Sequence, residues 1–317
     1  METLQYCLRK FVYGIPLVIG VTLISFILMV EFGPDKTYEL IDKNATEEQI
    51  AEIRHELGYD KPFVVRYKNF LLQVITLDFG YSDSSREKVS SILMRTIPVT
   101  IVLALPGFVL GNILGIIFAL WAAFHRGAII DRLLMMFAVI GMSVSFVIVI
   151  IVFQALFCSS IGLNIFPVFG WEISSFTDYL KHITVPTMCS TFVALGYNTR
   201  FYRAIFVEEM MCDHVRTSRA YGASTVKILY HNVFKNSLVP IITRIIFTLP
   251  FIIIGGSLLI ESYFGIPGVG QVTYDAISSG DLPILKAVVS LTAILYVLVL
   301  TFVDILYQWV DPRIALN

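Results

Sequence analysis

The stretch PVTIVLALPGFVLGNILGIIFALWA, Pro98 to Ala122, runs its whole length without a charged side chain. A helix rises about 1.5 Å per residue, so about 20 apolar residues cross a hydrocarbon core of about 30 Å. This block alone is long enough to span a membrane. The surrounding chain agrees with it: 317 residues are 56% hydrophobic and 15% charged, with a mean hydropathy of +0.78. Soluble chains run about 45–50% apolar and about 25% charged, which excludes an ordinary pair of soluble domains.

Five further blocks are predominantly apolar over a similar length: Phe11–Val30, Leu133–Phe157, His182–Ile205, Leu238–Ile260 and Ile284–Gln308. The reading is an integral membrane protein with six spans. Arg9 and Lys10 precede the first block as in a secretory signal, but the block runs into GluPheGlyProAsp with no small-residue cleavage site, so it reads as an uncleaved anchor.

Basic residues in the short loops set the orientation. Arg9, Lys10, Arg126, Arg132, Arg200, Arg203, Arg216, Arg219, Lys227, Lys235 and Arg313 fall on one side, against Lys181 and Lys286 on the other. Both termini are therefore expected in the cytoplasm. The long loop Glu31–Ile97 mixes acids with its bases, and a loop of that length translocates largely regardless of charge. Within it Thr46 and Gln49 form a capping box, and Gly58 stands where a helix stop belongs, so a short external helix is expected.

Catalytic motifs are missing from the chain. It contains no phosphate-binding glycine loop, no paired-histidine or paired-cysteine metal spacing and no nucleophile elbow. Cys7, Cys158, Cys189 and Cys212 avoid the external loop and suggest no disulfide framework, and the five histidines are scattered. Polar residues inside spans say more, because lipid makes them costly unless they face a cavity or another helix. Asn112, Gln154 and Asn198 can line a translocation path or hydrogen-bond between helices. Asp304 lies near the cytoplasmic end of the last span. Gly107, Gly111 and Gly115 share one helix face at four-residue spacing, which allows close helix approach.

The segment between the fourth and fifth spans, VRTSRAYGASTVKILYHNVFKNSLVPI from Val215 to Ile241, is polar for so apolar a chain. It reads as two short helices meeting at a turn. Glu208, Glu209 and Asp213 begin the first and Arg216 and Arg219 end it, which complements a helix dipole. Gly222 supplies a left-handed stop, and Ser224 suits the next N-cap. In the second helix Val226, Leu229, Val233 and Ser237 form one face, and Lys227, His231 and Lys235 a basic stripe. A basic loop resting on anionic headgroups is the simplest alternative.

AspHisValArgThrSerArgAlaTyrGly at 213–222, with Pro240 eighteen residues on, resembles the cytoplasmic loop of the permease subunits of bacterial ABC importers for oligopeptides, dipeptides and nickel. GluLeuGlyTyrAspLysPro at 56–62, AspPheGlyTyrSer at 78–82, PheGlyIleProGlyValGly at 264–270 and AspProArgIle at 311–314 are similar to other signatures of that family, in the same order. His214, Ser218 and Tyr221 depart from its usual residues, and its GlyAspPro stands here as GlyProAsp at 33–35.

The resemblance implies an all-α type I importer permease with six transmembrane helices and cytoplasmic N and C termini. It implies a cytoplasmic N-terminus at 1–10, a first span at 11–30, an external loop at 31–97 and a core permease domain at 98–317 that includes a coupling loop at 206–237. Asp213, Arg216, Thr217, Arg219, Ala220, Gly222 and Ser224 would couple to an ATPase, while Asn112, Gln154 and Asn198 would line the path. The implied partners are a second homologous permease subunit, two ATP-binding subunits, an extracytoplasmic substrate-binding protein and membrane lipid, with no nucleic acid. The chain itself would bind no cofactor or metal; ATP and Mg would be used by the ATPase partners. Its location would be the bacterial cytoplasmic membrane. The expected cargo is short peptides, or alternatively nickel chelates, glutathione or another peptide-like solute. A secondary transporter would show inverted repeats or mid-membrane coupling charges, and an intramembrane enzyme would need a nucleophile or metal set within the spans; neither pattern is visible.

Overall fold

The computed structural model of the chain describes residues 2–32, 51, 54–55, 60–160, 162–250 and 258–310. Thr46, Gln49, Gly58 and the motifs at 33–35 and 311–314 lie outside the described residues. Among the described residues the fold is helical, with no strand and one isolated antiparallel bridge between Tyr81 and Lys88. The chain divides into two compact units, Met1–Arg95 with Val272–Thr301, and Thr96–Gln271 with Phe302–Asn317.

In the first unit, α1 (Glu2–Phe26) runs on into a π-helical turn, Ile27–Glu31. A second helix, α2 (Phe63–Thr76), starts behind Pro62, whose ring supplies a preset φ, and stops at left-handed Leu77. Phe26 ties the two together, its ring 5.4, 5.5 and 5.7 Å from those of Phe63, Tyr67 and Phe70. The Tyr67 hydroxyl donates to the Ile19 carbonyl at 3.0 Å. A further polar tie lies in the 82–84 loop. Ser82 and Ser84 donate their hydroxyls to Asp281 Oδ2 at 2.5 and 2.8 Å, and the Ser84 amide adds a third bond at 3.1 Å. Asp281 is wholly buried. Burial opposes its charge, but the bonds from Ser82 and Ser84 prevail and hold its carboxyl below the ordinary value.

Four helices build most of the second unit. α3 (Val89–Phe124) enters it from the first unit, α4 (Ile129–Ser143) and α5 (Phe146–Phe157) form a bent pair, and α6 (Phe176–Glu209) is the long central helix. The three glycines of α3 face α6 in register. A Cβ placed on Gly107, Gly111 or Gly115 would lie 2.7, 2.6 or 2.7 Å from the Cβ of Ser190, Ala194 or Asn198. Real Cβ atoms do not approach so closely, so the stripe is a packing device that lets two backbones meet. α4 also approaches α6 closely at Gly196, where a Cβ would lie 2.8 Å from the Ala138 carbonyl oxygen.

Leu133–Phe157, expected as one span, bends by 101° between α4 and α5. Val144 and Ser145 take extended ψ values of 132° and 136°, and the Ser143 hydroxyl returns to the Val139 carbonyl instead of favouring continued helix. Among the described residues two helical stretches are long and apolar enough to cross a membrane, Val89–Phe124 and Leu282–Leu300, with the bent pair as a third if it counts as one span. α6 is longer than most spans yet too polar to qualify by composition. Thr187, Thr191, Asn198 and Thr199 are buried along it, so its polarity faces protein and not lipid.

The remaining helices are α7 (Asp213–Ala220), α8 (Lys235–Pro250), α9 (Leu258–Phe264), α10 (Val269–Ser279) and α11 (Leu282–Val310). Asp304 falls in α11. The fifth expected span corresponds to α8 and the start of α9; residues 251–257 lie outside the described set.

Candidate functional site

The 206–237 segment folds largely by its local signals. α7 carries Asp213 in its first turn and Arg219 in its last, and Arg216 donates to Asp213 at 3.2 Å while the Thr217 hydroxyl donates to the Asp213 carbonyl. Gly222 follows with φ of 77°, the left-handed region that glycine enters without cost. Ser224 then caps the next turn, its hydroxyl oxygen accepting from the Lys227 amide. Ala220 closes α7 on the exposed side.

Two parts of the local reading are corrected. Glu208 and Glu209 do not begin α7; α6 runs through them and ends at Glu209, and a turn at 210–212 separates the helices. The Glu209 carboxylate faces His214, whose Nε2 lies 3.2 Å from it and 3.1 Å from Asn236 Nδ2. The inner face of the second helix also differs. Val226 is exposed and Ile228 is buried. The cause is a π-helical run, Ile228–Phe234, whose wider turn puts Ile228 and Val233, five residues apart, on one face.

Those two side chains and Val215 anchor the segment. All three are buried in one cluster with Ala119 and Ala123 of α3 and Tyr202 and Phe206 of α6. Asn232 adds a hydrogen bond to Ser218 at 2.9 Å. The outer side is open: Tyr221, Val226 and Tyr230 are 87%, 71% and 72% exposed, and Arg219 stands among the exposed residues. An apolar and basic surface of this kind, mounted on a rigid base, suits a protein partner.

A second region lies within α3, α6 and α8. Here a cavity of ≈ 510 Å³ is lined by Asn112, Ser190, Tyr197, Asn198, Arg244 and Thr248 among others, a size in the ordinary range of about 300–1,000 Å³ for ligand pockets. Asn112 and Asn198 meet on its wall. Asn112 Oδ1 accepts from the Tyr202 hydroxyl at 2.6 Å and from Asn198 Nδ2 at 3.3 Å, and Asn198 also donates to the Gly111 carbonyl. The two asparagines thus line the cavity and cross-tie α3 to α6. Gln154 is elsewhere, donating to the carbonyls of Val168 and Tyr263 at 2.9 and 3.3 Å.

Several residues carry weight that the sequence reading did not assign. Arg244 enters the cavity wall from α8, its guanidinium 4.3 Å from the Phe201 ring centroid. A charge inside an apolar block was the visible signal for it. Asp131 is buried at the start of α4 and takes two bonds from Arg203, at 2.6 and 2.7 Å. The Arg203 bond, reinforced by the Gly127 amide, holds the Asp131 carboxyl below its usual range against the effect of burial. Glu261 is wholly buried in α9: Oε1 accepts from Thr100 at 2.7 Å and Oε2 from the Gln271 amide at 3.0 Å. Thr100 Oγ1 in turn accepts from the Val269 amide at 2.8 Å. Gly268 packs against the carboxylate with no room for a Cβ. The 264–270 motif is therefore a loop folded around an acid. For a metal, Glu209, Cys212 and His214 form a group whose ligand atoms lie within 4.8 Å of one another, with His214 Nε2 already set against Glu209 and Asn236.

Comparison with known proteins places this geometry. The family described as "Binding-protein-dependent transport system inner membrane component" matches residues 111–316, and "Binding-prot-dependent transport system membrane comp, N-term" matches residues 3–104. A probable peptide ABC transporter permease protein of Sinorhizobium fredii is 32% identical over 98% of each chain. The dipeptide transport system permease protein of Bacillus subtilis is 28% identical over 99% of this chain and 98% of its own. The glutathione transport system permease protein of Salmonella typhimurium is 28% identical over 98% and 99%. Among solved structures, a chain of the MetNI methionine ABC transporter in an inward facing conformation overlays with a TM-score of 0.57 at 19% identity, covering 70% of this chain and 97% of that one, which is a likeness of fold.

Proposed function

Because the chain belongs to the binding-protein-dependent transport system inner membrane component family and is the permease subunit of an ABC importer, we propose that it forms half of a pathway for short peptides across the bacterial cytoplasmic membrane. Six spans with cytoplasmic termini, a core permease domain at 98–317 and pairing with a second, related permease complete the reading. Two ATPase subunits hydrolyse MgATP on the cytoplasmic side, and an extracytoplasmic binding protein delivers cargo. The peptide class rests on relatives named for peptide and dipeptide transport. Glutathione, itself a tripeptide, belongs to the same chemical class, and one relative is named for it.

The observation that carries the coupling role is the anchoring of Val215, Ile228 and Val233 in the core beside Tyr202 and Phe206. A surface built on those residues moves with α3 and α6 as one body, so a push from an ATPase reaches the cavity-lining helices without being absorbed by a loose loop. Asp213, Arg216, Thr217, Arg219, Ala220, Gly222 and Ser224 make up that coupling element, and Asn112 and Asn198 belong to the path. The test is co-purification of the ATPase with Arg219→Glu and Arg216→Glu. Docking that weakens, and weakens further with added salt, supports the assignment. Unchanged docking at all salt concentrations, with full uptake, returns the segment to a basic loop on headgroups.

A further inference from the structure

Arg244 is six residues into the Leu238–Ile260 block, roughly 9 Å along the helix from its cytoplasmic end. A guanidinium at that depth needs a compensating group or a polar cavity. Its neighbours supply little compensation. The Phe201 face contributes a cation–π contact, but Nε is enclosed without a hydrogen-bond partner, and among the described residues Arg244 forms no salt bridge. Most of the other polar side chains of the cavity are already engaged. The Thr248 hydroxyl donates to carbonyls of its own helix, Asn198 donates to Asn112 and Gly111, and Asn112 Oδ1 receives Tyr202. None of the lining residues is acidic. Among the described residues the cavity therefore has one charged side chain on its wall, and that charge is positive.

We propose that Arg244 receives the free carboxylate of the passing solute, making this permease selective for peptides that keep an ionised C-terminus. The planar guanidinium suits a carboxylate because its parallel N–H groups match the two oxygens. A peptide with neutral side chains carries one anionic group, its C-terminal carboxylate, so Arg244 reads a feature common to cargoes of different sequence. Converting that terminus to an amide removes the matched group and leaves a cationic peptide facing a cation. The inference rests on the cavity being part of the pathway.

The experiment compares uptake of trialanine and trialanine amide by the full transporter with its binding protein in proteoliposomes. Discrimination by the binding protein is common to every variant and drops out of the comparison. Arg244→Gln is expected to lower trialanine uptake by about tenfold or more and to leave the amide unchanged, and Arg244→Lys to keep most of the preference for the free acid. An unaltered acid-to-amide ratio in Arg244→Gln overturns the inference. So does an equal loss for both peptides with ATP hydrolysis intact, which marks a structural role. Ala104→Trp tests the underlying reading separately, by filling the cavity without replacing Arg244. Blocked uptake of both peptides upholds the pathway, and full uptake overturns the pathway and this inference together.

Discussion

Gly111 and Ala194 meet so closely that a Cβ on the glycine would stand 2.6 Å from the Cβ of the alanine. Both sides of that contact are backbone-near atoms, so a flexible side chain cannot move aside. Gly111→Val should push α3 from α6 and destabilise the protein by about 1–3 kcal/mol. Thermal denaturation of the detergent-solubilised complex reads the loss, and an unchanged midpoint would show that the helices have room to spare.

Asn112 serves two donors at once. Asn112→Leu leaves the Tyr202 hydroxyl and the Asn198 amide short of an acceptor in a buried site, at a cost of about 1–3 kcal/mol. Tyr202→Phe removes only a donor and should cost less. Because the groups share one oxygen, the double variant Asn112→Leu/Tyr202→Phe should fall short of the sum of the singles by at least about 0.5 kcal/mol. Additive losses would mean that the observed bond contributes no coupling.

Gly222 meets nothing within 4 Å of a would-be Cβ, so only its φ of 77° restricts what can replace it. Asparagine tolerates that region, whereas a β-branched residue pays on the order of 1 kcal/mol or more. Gly222→Asn should retain uptake and ATPase docking, and Gly222→Val should lose uptake while staying in the membrane. Equal behaviour of the two variants would remove the backbone from the explanation.

The Asp131 carboxyl is held below the ordinary carboxylate range, chiefly through its bond to Arg203. A group depressed on folding stabilises the native state at pH values above its unfolded pKa, and that contribution disappears as pH falls through the lower folded value. Asp131→Asn should therefore cost about 1.5–3 kcal/mol at neutral pH. It should also flatten the part of the acid limb of the melting curve that this group supplies. Parallel pH profiles for the two proteins would refute the assignment.

Orientation can be read with an impermeant thiol reagent after Cys7 and Cys212 are replaced by serine. In the loop proposed as external Ser85 is the position to substitute, because the hydroxyl and amide of Ser84 both hold Asp281. Ser85→Cys should be labelled in intact cells and Thr225→Cys only after the membrane is opened. The reverse pattern would invert the topology and remove the coupling role.

The turn at Gly222 and the cap at Ser224 were legible because each depends on residues within a few positions of itself. The glycine stripe of α3 was legible too, since four-residue spacing survives in any helical context, although its partners on α6 were not. The phase of the 228–234 run was hidden: a π turn keeps the residues and changes the period, so a reading in steps of 3.6 put Val226 inward where Ile228 belongs. Glu261 with Thr100, and Asp281 with Ser82, were out of reach for a different reason. They join residues 161 and 199 positions apart, and no periodicity in a single chain relates them. Arg244 was visible as a charge in an apolar block, but its lack of a salt bridge among the described residues was a fact of three dimensions.

The Glu261 site also imposes an order on biogenesis. A ribosome emits Thr100 161 residues ahead of the acid it will hold, while the Gln271 amide follows ten residues behind it. A carboxylate buried in protein and short of a donor costs about 1–3 kcal/mol or more. A nascent chain paused between Glu261 and Gln271 thus has its hydroxyl donor made and its amide donor still unmade. Closure of this joint belongs to the last stage of synthesis, so truncation just upstream of Gln271 should expose a half-built acid site to the membrane proteases that clear unfinished transporters.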